Sequence, residues 1–241
     1  ELGDLFAANG IGGGAHAVAF APWGGISELW GESADLIWPR LSYVRTLAGH
    51  EDGTPDLAGG IAGTHVVVEY EDGAWSSPQI SAEQLEGGVS DMVMRDDGSA
   101  WAAGSTSGAA TALRGRMWRL TGSQWTEYPL DRTIVPTDMS AISPSNIWAS
   151  GLNAVVQWNG DSWKIVEGAP HSDVAGPVHM LGEDPTAGLF GGQSGDVWEI
   201  RGSDWTQHQM EGAEGPVIAI AVHADEGERQ VWAATSRSLH S

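Results

Sequence analysis

The residues able to carry chemistry are spread along this chain, and none is set at a catalytic spacing. Eight histidines occur: His16, His50, His65, His171, His179, His208, His223 and His240. None forms a His-x-His or His-Glu-x-x-His pair, the spacings that chelate a metal from one element. No metal and no cofactor are therefore expected. The nearest match to a nucleophile elbow, GSTSG at 104–108, has Thr106 where the serine would stand. GIGGGA at 10–15 fits the glycine pattern of a dinucleotide site. That pattern works only where a helix starts at the last glycine and aims its N–H groups at a pyrophosphate. Here HAVAFAPWGG follows, alternating apolar residues and then breaking at Pro and Gly, so nucleotide binding is not expected.

The carboxylates sit mainly in turn-like stretches such as RDDGS, EDG and NGDSW, where an Asp ordinarily caps backbone N–H groups. Arg114, Arg116 and Arg119 are the one local cluster among ten arginines, and Arg119 falls in a predicted strand. Thirteen Trp against three Phe and three Tyr is a strong bias. Most of the tryptophans recur at regular intervals, which packing explains more simply than sugar stacking. Trp23 and Trp38 fall outside that rhythm and are the better candidates for an exposed stacking face.

Charge narrows the partners. Acidic residues outnumber basic ones 32 to 11, for a net charge of −21, and Lys164 is the sole lysine. Such a surface repels phosphate backbones and anionic headgroups, so neither nucleic acid nor a membrane surface is an expected partner. There is no cysteine, hence no disulfide. The longest apolar runs, such as VIAIAV at 217–222, are far too short to span a bilayer.

The elements that must position these residues are repeats. SDMVMRDDGSAWAAG, TDMSAISPSNIWASG, PVHMLGEDPTAGLFGG and PVIAIAVHADEGERQVWAAT each run from an alternating apolar stretch through a polar turn to an aromatic followed by small residues. The aromatics are Trp101, Trp148, Phe190 and Trp232, spaced 47, 42 and 42 apart. Phe6 and Tyr43 are weaker matches. A second motif reads aromatic, short polar turn, Trp. Its leading residues Trp118, Trp158 and Trp198 lie 40 apart, and its closing residues are Trp75, Trp125, Trp163 and Trp205. The segment from Trp23 to Trp30 reads as a degenerate copy.

Both motifs are hairpins, with alternating apolar strands around Gly, Asp, Asn and Ser turns. Two hairpins per period of about 40 residues is the blade spacing of a β-propeller, and 34 Gly with 11 Pro suit such a turn-rich chain. The fold expected is all-β, a β-propeller of four-stranded antiparallel blades filling 1–241 as one domain, clear over 89–241 and irregular over 1–88. The aromatic-plus-small motif belongs to the second strand of each blade, where neighbouring sheets would pack closely. The chain then reads as starting inside a blade at a second strand. About five blades are complete, either closing a ring of five or forming part of a six- or seven-bladed one.

SPSNIWASGLNAVVQWNGDSWKIVEG resembles the repeats of secreted bacterial propellers related to the Asp-box (sialidase-type) group. VWEIRGSDWTQHQMEG, followed by VIAIAV, also resembles tectonin repeats. The resemblance implies a secreted bacterial protein, extracellular, at the cell surface or periplasmic. It leaves three functions open: a binding or scaffolding propeller, a tectonin-like lectin, or a glycosidase or lyase. A non-catalytic propeller docking a protein or glycan, alone or as a subunit of a larger assembly, is the first of these expectations, with a protein or a glycan as partner.

Two segments exceed what a blade requires: 49–63 and 104–116. Both read as connections between second and third strands on one face of adjacent blades, and insertions on one face of a repeat protein often mark the binding face. The first holds His50, Glu51, Asp52 and Asp56. The second ends in Arg114 and Arg116, scarce cations in this chain. These six are the binding residues expected, through charge complementarity that orients a partner.

Overall fold

The computed structural model describes residues 88–94, 99–107, 113–122, 124–130, 134–152, 154–182, 184–225, 228–235 and 239–240; before residue 88 it describes the strands by their backbone. No helix occurs among the described residues. The strands run in six antiparallel meanders. The first sheet holds β1 (Leu5–Phe6), β2 (His16–Phe20), β3 (Ile26–Trp30) and β4 (Ser33–Trp38). The second holds β5 (Val44–Gly49), β6 (Pro55–Gly60), β7 (Val67–Glu71) and β8 (Ala74–Ser76). The third holds β9 (Gly88–Met94), β10 (Ala100–Ser107), β11 (Leu113–Thr121) and β12 (Gln124–Pro129). The fourth holds β13 (Val135–Ser143), β14 (Asn146–Leu152), β15 (Ala154–Trp158) and β16 (Trp163–Ile165). The fifth holds β17 (Val174–Met180), β18 (Ala187–Gly192), β19 (Val197–Arg201) and β20 (Asp204–His208). The sixth has three strands, β21 (Val217–Asp225), β22 (Glu228–Thr235) and β23 (Leu239–His240). The chain divides into two compact units, Glu1–Pro129 and Leu130–Ser241.

The phase of the repeat differs from the sequence reading. Phe6 lies in a first strand, paired with Val18, so the described strands begin at the start of a sheet rather than inside one. Tyr43 lies outside the described residues. The irregular third-and-fourth-strand hairpin of the first sheet runs from Ile26 to Trp38, later than the Trp23–Trp30 segment. The expected turns at Ser143–Asn146 and Arg201–Asp204 are present, and Asn159 Oδ1 accepts the backbone N–H groups of Asp161 and Ser162 at 3.1 and 3.0 Å. Asp96–Gly98 lie outside the described residues.

The turns fix the register. Gly122, Gly160 and Gly202 stand at the same place in the third-to-fourth-strand hairpins, with φ of 60°, 97° and 64°. A side chain there would be strained, so the turn is anchored at glycine. Counting back three residues from each gives Arg119, Gln157 and Glu199. Strand pairing sets these opposite Trp101, Trp148 and Leu189. Regular spacing therefore conceals a slip. Phe190 is one residue out of phase with Trp101 and Trp148, and Trp158 sits nearer its turn than Trp118 and Trp198 do. In a strand a one-residue slip sends the side chain to the other face. Accordingly Trp148, on the fourth sheet, meets Phe190, on the fifth, edge to face at 5.9 Å between centroids. Leu189 points the opposite way and packs with Val217 and Ala233 of the sixth sheet.

β18 is buried on both faces, as are β14 from Asn146 to Gly151 and β10 from Ala100 to Gly104: Trp101 and Phe190 are fully enclosed and Trp148 is 2% exposed, while Trp232 on β22 is half-buried. The motif's glycine answers to its own sheet as well as to neighbours. A Cβ at Gly151 would lie 2.0 Å from the Val135 carbonyl oxygen, and one at Gly104 would lie 2.1 Å from that of Gly88. At both places the first strand bulges against the second.

Sheets four and five are tied by side chains that satisfy bulged backbone. β17 shifts register between Val174 and Val178. Asp138 accepts from the Val178 N–H at 2.8 Å, Thr137 Oγ1 donates to the Ala175 carbonyl at 3.0 Å, and Ser150 Oγ donates to the Gly176 carbonyl. Trp148 Nε1 and Asn146 Nδ2 both donate to the Pro185 carbonyl at 3.2 Å.

Trp148→Ala should destabilise the fold by about 3–5 kcal/mol, the usual cost of deleting a buried aromatic. Urea titration followed by circular dichroism would show it, and an unchanged midpoint would refute this packing role. Gly151→Ala should also destabilise, because the colliding atoms are backbone and cannot rotate away.

Candidate functional site

Of the six expected binding residues, Arg116 alone has its side chain among the described residues. His50, Glu51 and Asp52 lie outside the described residues. Asp56 falls within β6, in the irregular pairing between Ala48 and Gly49, and its side chain is likewise outside the described residues. Arg114 is in β11, paired by backbone with Thr106, and its side chain too lies outside. Arg116 is also in β11, where its guanidinium pairs with Glu127 of β12 within the same sheet. The reading of 49–63 and 104–116 as two like connections does not hold. Residues 50–54 join a first to a second strand, and 55–60 are themselves a strand. Residues 108–112 join a second to a third strand, flanked by β10 and β11 pairing as far as Ser107 and Leu113. In a meander these two connections leave from opposite ends of their sheets.

The strongest polar constellation is elsewhere, in the second unit, where the fifth and sixth sheets face each other. In β19, VWEIR, alternation sends Trp198 and Ile200 toward the aromatic cluster around Trp148 and Phe190. Val197 and Glu199 take the other face, and Val197 joins the cluster with Leu189 and Ala233. This buries the carboxylate of Glu199 among apolar groups. Burial alone would raise its pKa. Hydrogen bonds from Arg229 and His208, the positive charge of Arg229 and a hydrogen bond from Arg201 outweigh burial, and hold the carboxyl below the ordinary glutamate value.

The geometry is convergent. Arg201 Nε and Arg229 Nη2 both donate to Glu199 Oε1, at 2.8 and 3.0 Å, while His208 Nε2 lies 2.9 Å from Oε2. Arg201 and His208 come from β19 and β20 of the fifth sheet, and Arg229 from β22 of the sixth. One carboxylate oxygen thus holds two guanidinium groups side by side.

Two cavities flank the cluster. The larger, about 490 Å³, is walled by Leu189, Val197, Met210 and Val231 and carries Glu199, His208, Glu211 and Arg229 as its charged or titratable lining. Its origin lies in the register slip: the position filled by tryptophan in the third and fourth sheets is filled here by Leu189, leaving space. The smaller cavity, about 330 Å³, is lined by His179, Leu181, Asp184, Arg201, Val222 and Arg229. Burial holds the His179 imidazole below its ordinary pKa, so it is neutral at pH 7. Hydrogen bonds from the Thr186 hydroxyl and backbone lower the pKa of Asp184 at that rim. Arg229 lines both cavities.

A second displaced carboxyl is structural. Burial opposes ionisation of Asp173, but donors from Trp198, Ser194 and Gln193 lower its pKa, with the Trp198 Nε1 bond at 2.7 Å. Among the described residues no group of His, Asp and Glu is arranged to hold a metal ion, and no helix is long and apolar enough to cross a membrane.

Sequence reasoning passed over Glu199, Arg201 and Arg229. The available signal was the position three before the turn glycine, polar in each hairpin, together with two arginines placed near one strand end in a chain poor in cations.

No protein-family model and no curated protein sequence matches the chain. Solved structures do match. PorZ, a bacterial surface component of the type-IX secretion system of Porphyromonas gingivalis, is 12% identical with a TM-score of 0.68, over 99% of this chain and 38% of that one. The WD40 β-propeller domain of Doa1 is 10% identical with a TM-score of 0.66, over 92% of this chain and 76% of that one. A gluconolactonase of Xanthomonas campestris is 9% identical with a TM-score of 0.57, over 94% of this chain and 81% of that one. The chain spans well under half the length of PorZ. Likeness at these identities shows the fold class alone: all-β, of the β-propeller type with four-stranded antiparallel blades.

The Glu199 pKa is depressed by folding, so the stability it contributes is complete above the unfolded-state value and is lost as the pH falls through the folded-state value. Urea midpoints measured from pH 7 to pH 3 should therefore fall on acidification. In Glu199→Gln the midpoint should be lower at pH 7 and should fall less steeply below the ordinary glutamate range. Parallel curves would show that the ion cluster does not contribute to stability.

Proposed function

We propose that the chain is a non-catalytic binding and scaffolding propeller that docks a protein or glycan partner outside the cytoplasm, as a free protein or as a subunit of a larger assembly. The observation that carries this reading is the state of three carboxyls among the described residues. A glycosidase needs one carboxyl kept protonated near neutral pH and a second free to act as base or nucleophile. Asp173, Asp184 and Glu199 are all shifted the other way, and both oxygens of Glu199 are already engaged. Such a carboxylate organises cations; it is poorly placed to deliver a proton.

Fold supports the same reading, since the propeller neighbours include a bacterial surface component and a WD40 domain, and propellers commonly serve as interaction platforms. The likeness of the repeats to Asp-box and tectonin repeats supports an exported bacterial protein. A net charge of −21 argues against nucleic acid. Within the first unit the docking end we favour is that of the β10–β11 hairpin with Arg114. Arg116 is committed in part to Glu127, and the β5–β6 connection that carries His50, Glu51 and Asp52 would form a separate contact at the other end of its sheet.

The wild-type chain should bind members of a peptide or glycan array without converting them. Arg114→Ala, with 108–112 shortened to a two-residue turn, should weaken that binding about tenfold if one charged contact is lost. Turnover of a glycoside or lactone that disappears in Glu199→Gln would overturn the reading, and so would binding that ignores the hairpin variant while folding is intact.

A further inference from the structure

We propose that the 490 Å³ cleft between the fifth and sixth sheets is a binding site for a carboxylate carried on an apolar group, such as the C-terminal residue of a peptide or a small apolar acid. The apolar part would lie against Leu189, Met210 and Val231, and the carboxylate on Arg229.

Three observations lead there. The first is shape and lining: an apolar wall with a few convergent polar groups is the ordinary constitution of a ligand pocket. The space exists because Leu189 stands where Trp101 and Trp148 stand in other sheets, so it belongs to this sheet pair and not to the repeat as such. The second is charge. Among the described residues Arg229 is the one arginine on this cleft; it meets Glu199 there, while Arg201 lines the other cavity beside Asp184. Glu211 also lines the cleft and opposes an anion there, but it is exposed, and water screens it. A cationic ligand against the apolar wall would have to lie beside the Arg229 guanidinium. The third is unused hydrogen-bonding capacity. Arg229 spends Nη2 on Glu199, and among the described residues Nε and Nη1 have no partner. Those donors form the fork that fits a carboxylate through two parallel bonds.

An ion-pair tie between sheets accounts for the Arg229–Glu199 contact. It does not account for the open volume or for the spare donors. Glu199 is a positioning residue in this assignment: it holds Arg229 at the cleft wall and does not touch the ligand.

The inference rests on the reading of the chain as a binding protein, and the test separates the two. The whole chain is labelled at its methionine methyls, and the Met210 signal is followed while four probes are added: N-acetylleucine, its neutral counterpart N-acetylleucinamide, a tripeptide ending in a free Leu carboxylate, and acetate. N-acetylleucine or the tripeptide should shift Met210 saturably, about tenfold more tightly than the amide, as expected for a charge-assisted contact at a partly exposed arginine. Acetate should bind far more weakly, lacking the apolar part. Whichever of the two apolar acids binds better identifies the source of the carboxylate. Leu189→Trp, which fills the cleft and leaves every charge in place, should abolish the shift. Arg229→Gln should erase the preference for acid over amide. Equal responses to acid and amide, or unchanged binding in a folded Leu189→Trp variant, would overturn the site. Cleavage of the tripeptide would instead defeat the non-catalytic reading, with the site still judged by Met210.

Discussion

Every sheet in this protein has two faces to cover, and the pleat allows each residue to cover only one. Side chains of a strand alternate between faces, so the identity of a residue and its parity in the register decide which neighbour it can reach. The second strands feel this most. β14 is buried from Asn146 to Gly151, with Asn146, Trp148 and Ser150 on one side bonded to the fifth sheet and Ile147, Ala149 and Gly151 on the other. The same parity sends Trp148 into the fourth–fifth contact and Leu189 into the fifth–sixth contact. Aromatics are concentrated in the first of these and scarce in the second, and the cleft follows from that imbalance.

The polar cluster at Glu199 is the electrostatic counterpart. A charge enclosed by apolar walls costs several kcal/mol unless partners compensate it. Here compensation comes from two strands of its own sheet and one of the next, so the cluster couples sheet packing to the positions of its arginines. Asp173 solves a similar problem without cations, through the indole of Trp198 and the backbone around Ser194. The contrast is informative. Neutral donors fully occupy Asp173 within its own sheet, whereas Glu199 draws in groups with hydrogen-bonding capacity to spare.

Much of the architecture was legible in the chain. Hairpin turns, the absence of helix over the described part of 89–241, the four-strand period and the burial of Trp101 and Trp148 follow from local patterns, because turn chemistry and period-two alternation act over a few residues. Phase and register were less legible. The spacing of 42 from Trp148 to Phe190 suggested equivalence, yet loop length absorbs single-residue slips that spacing cannot detect. The long segments 49–63 and 104–116 were read as loops for a related reason: small and polar residues such as PDLAGG and GSTS also form strands when a neighbouring strand supplies the hydrogen bonds.

Sequence by itself determined the fold class, the turns and the scarcity of cations, since these depend on composition and on neighbours a few positions away. Tertiary structure alone decided where those cations meet. Arg229 lies thirty positions beyond Glu199, and Arg201 and His208 only two and nine, yet all three converge on one carboxylate because β19, β20 and β22 bring them to a shared space between two sheets. That convergence depends on the turn glycine that sets the register of β19 and on a leucine standing where other sheets have a tryptophan. Neither effect can be read from a residue's own neighbourhood, because each concerns which face is presented to another sheet.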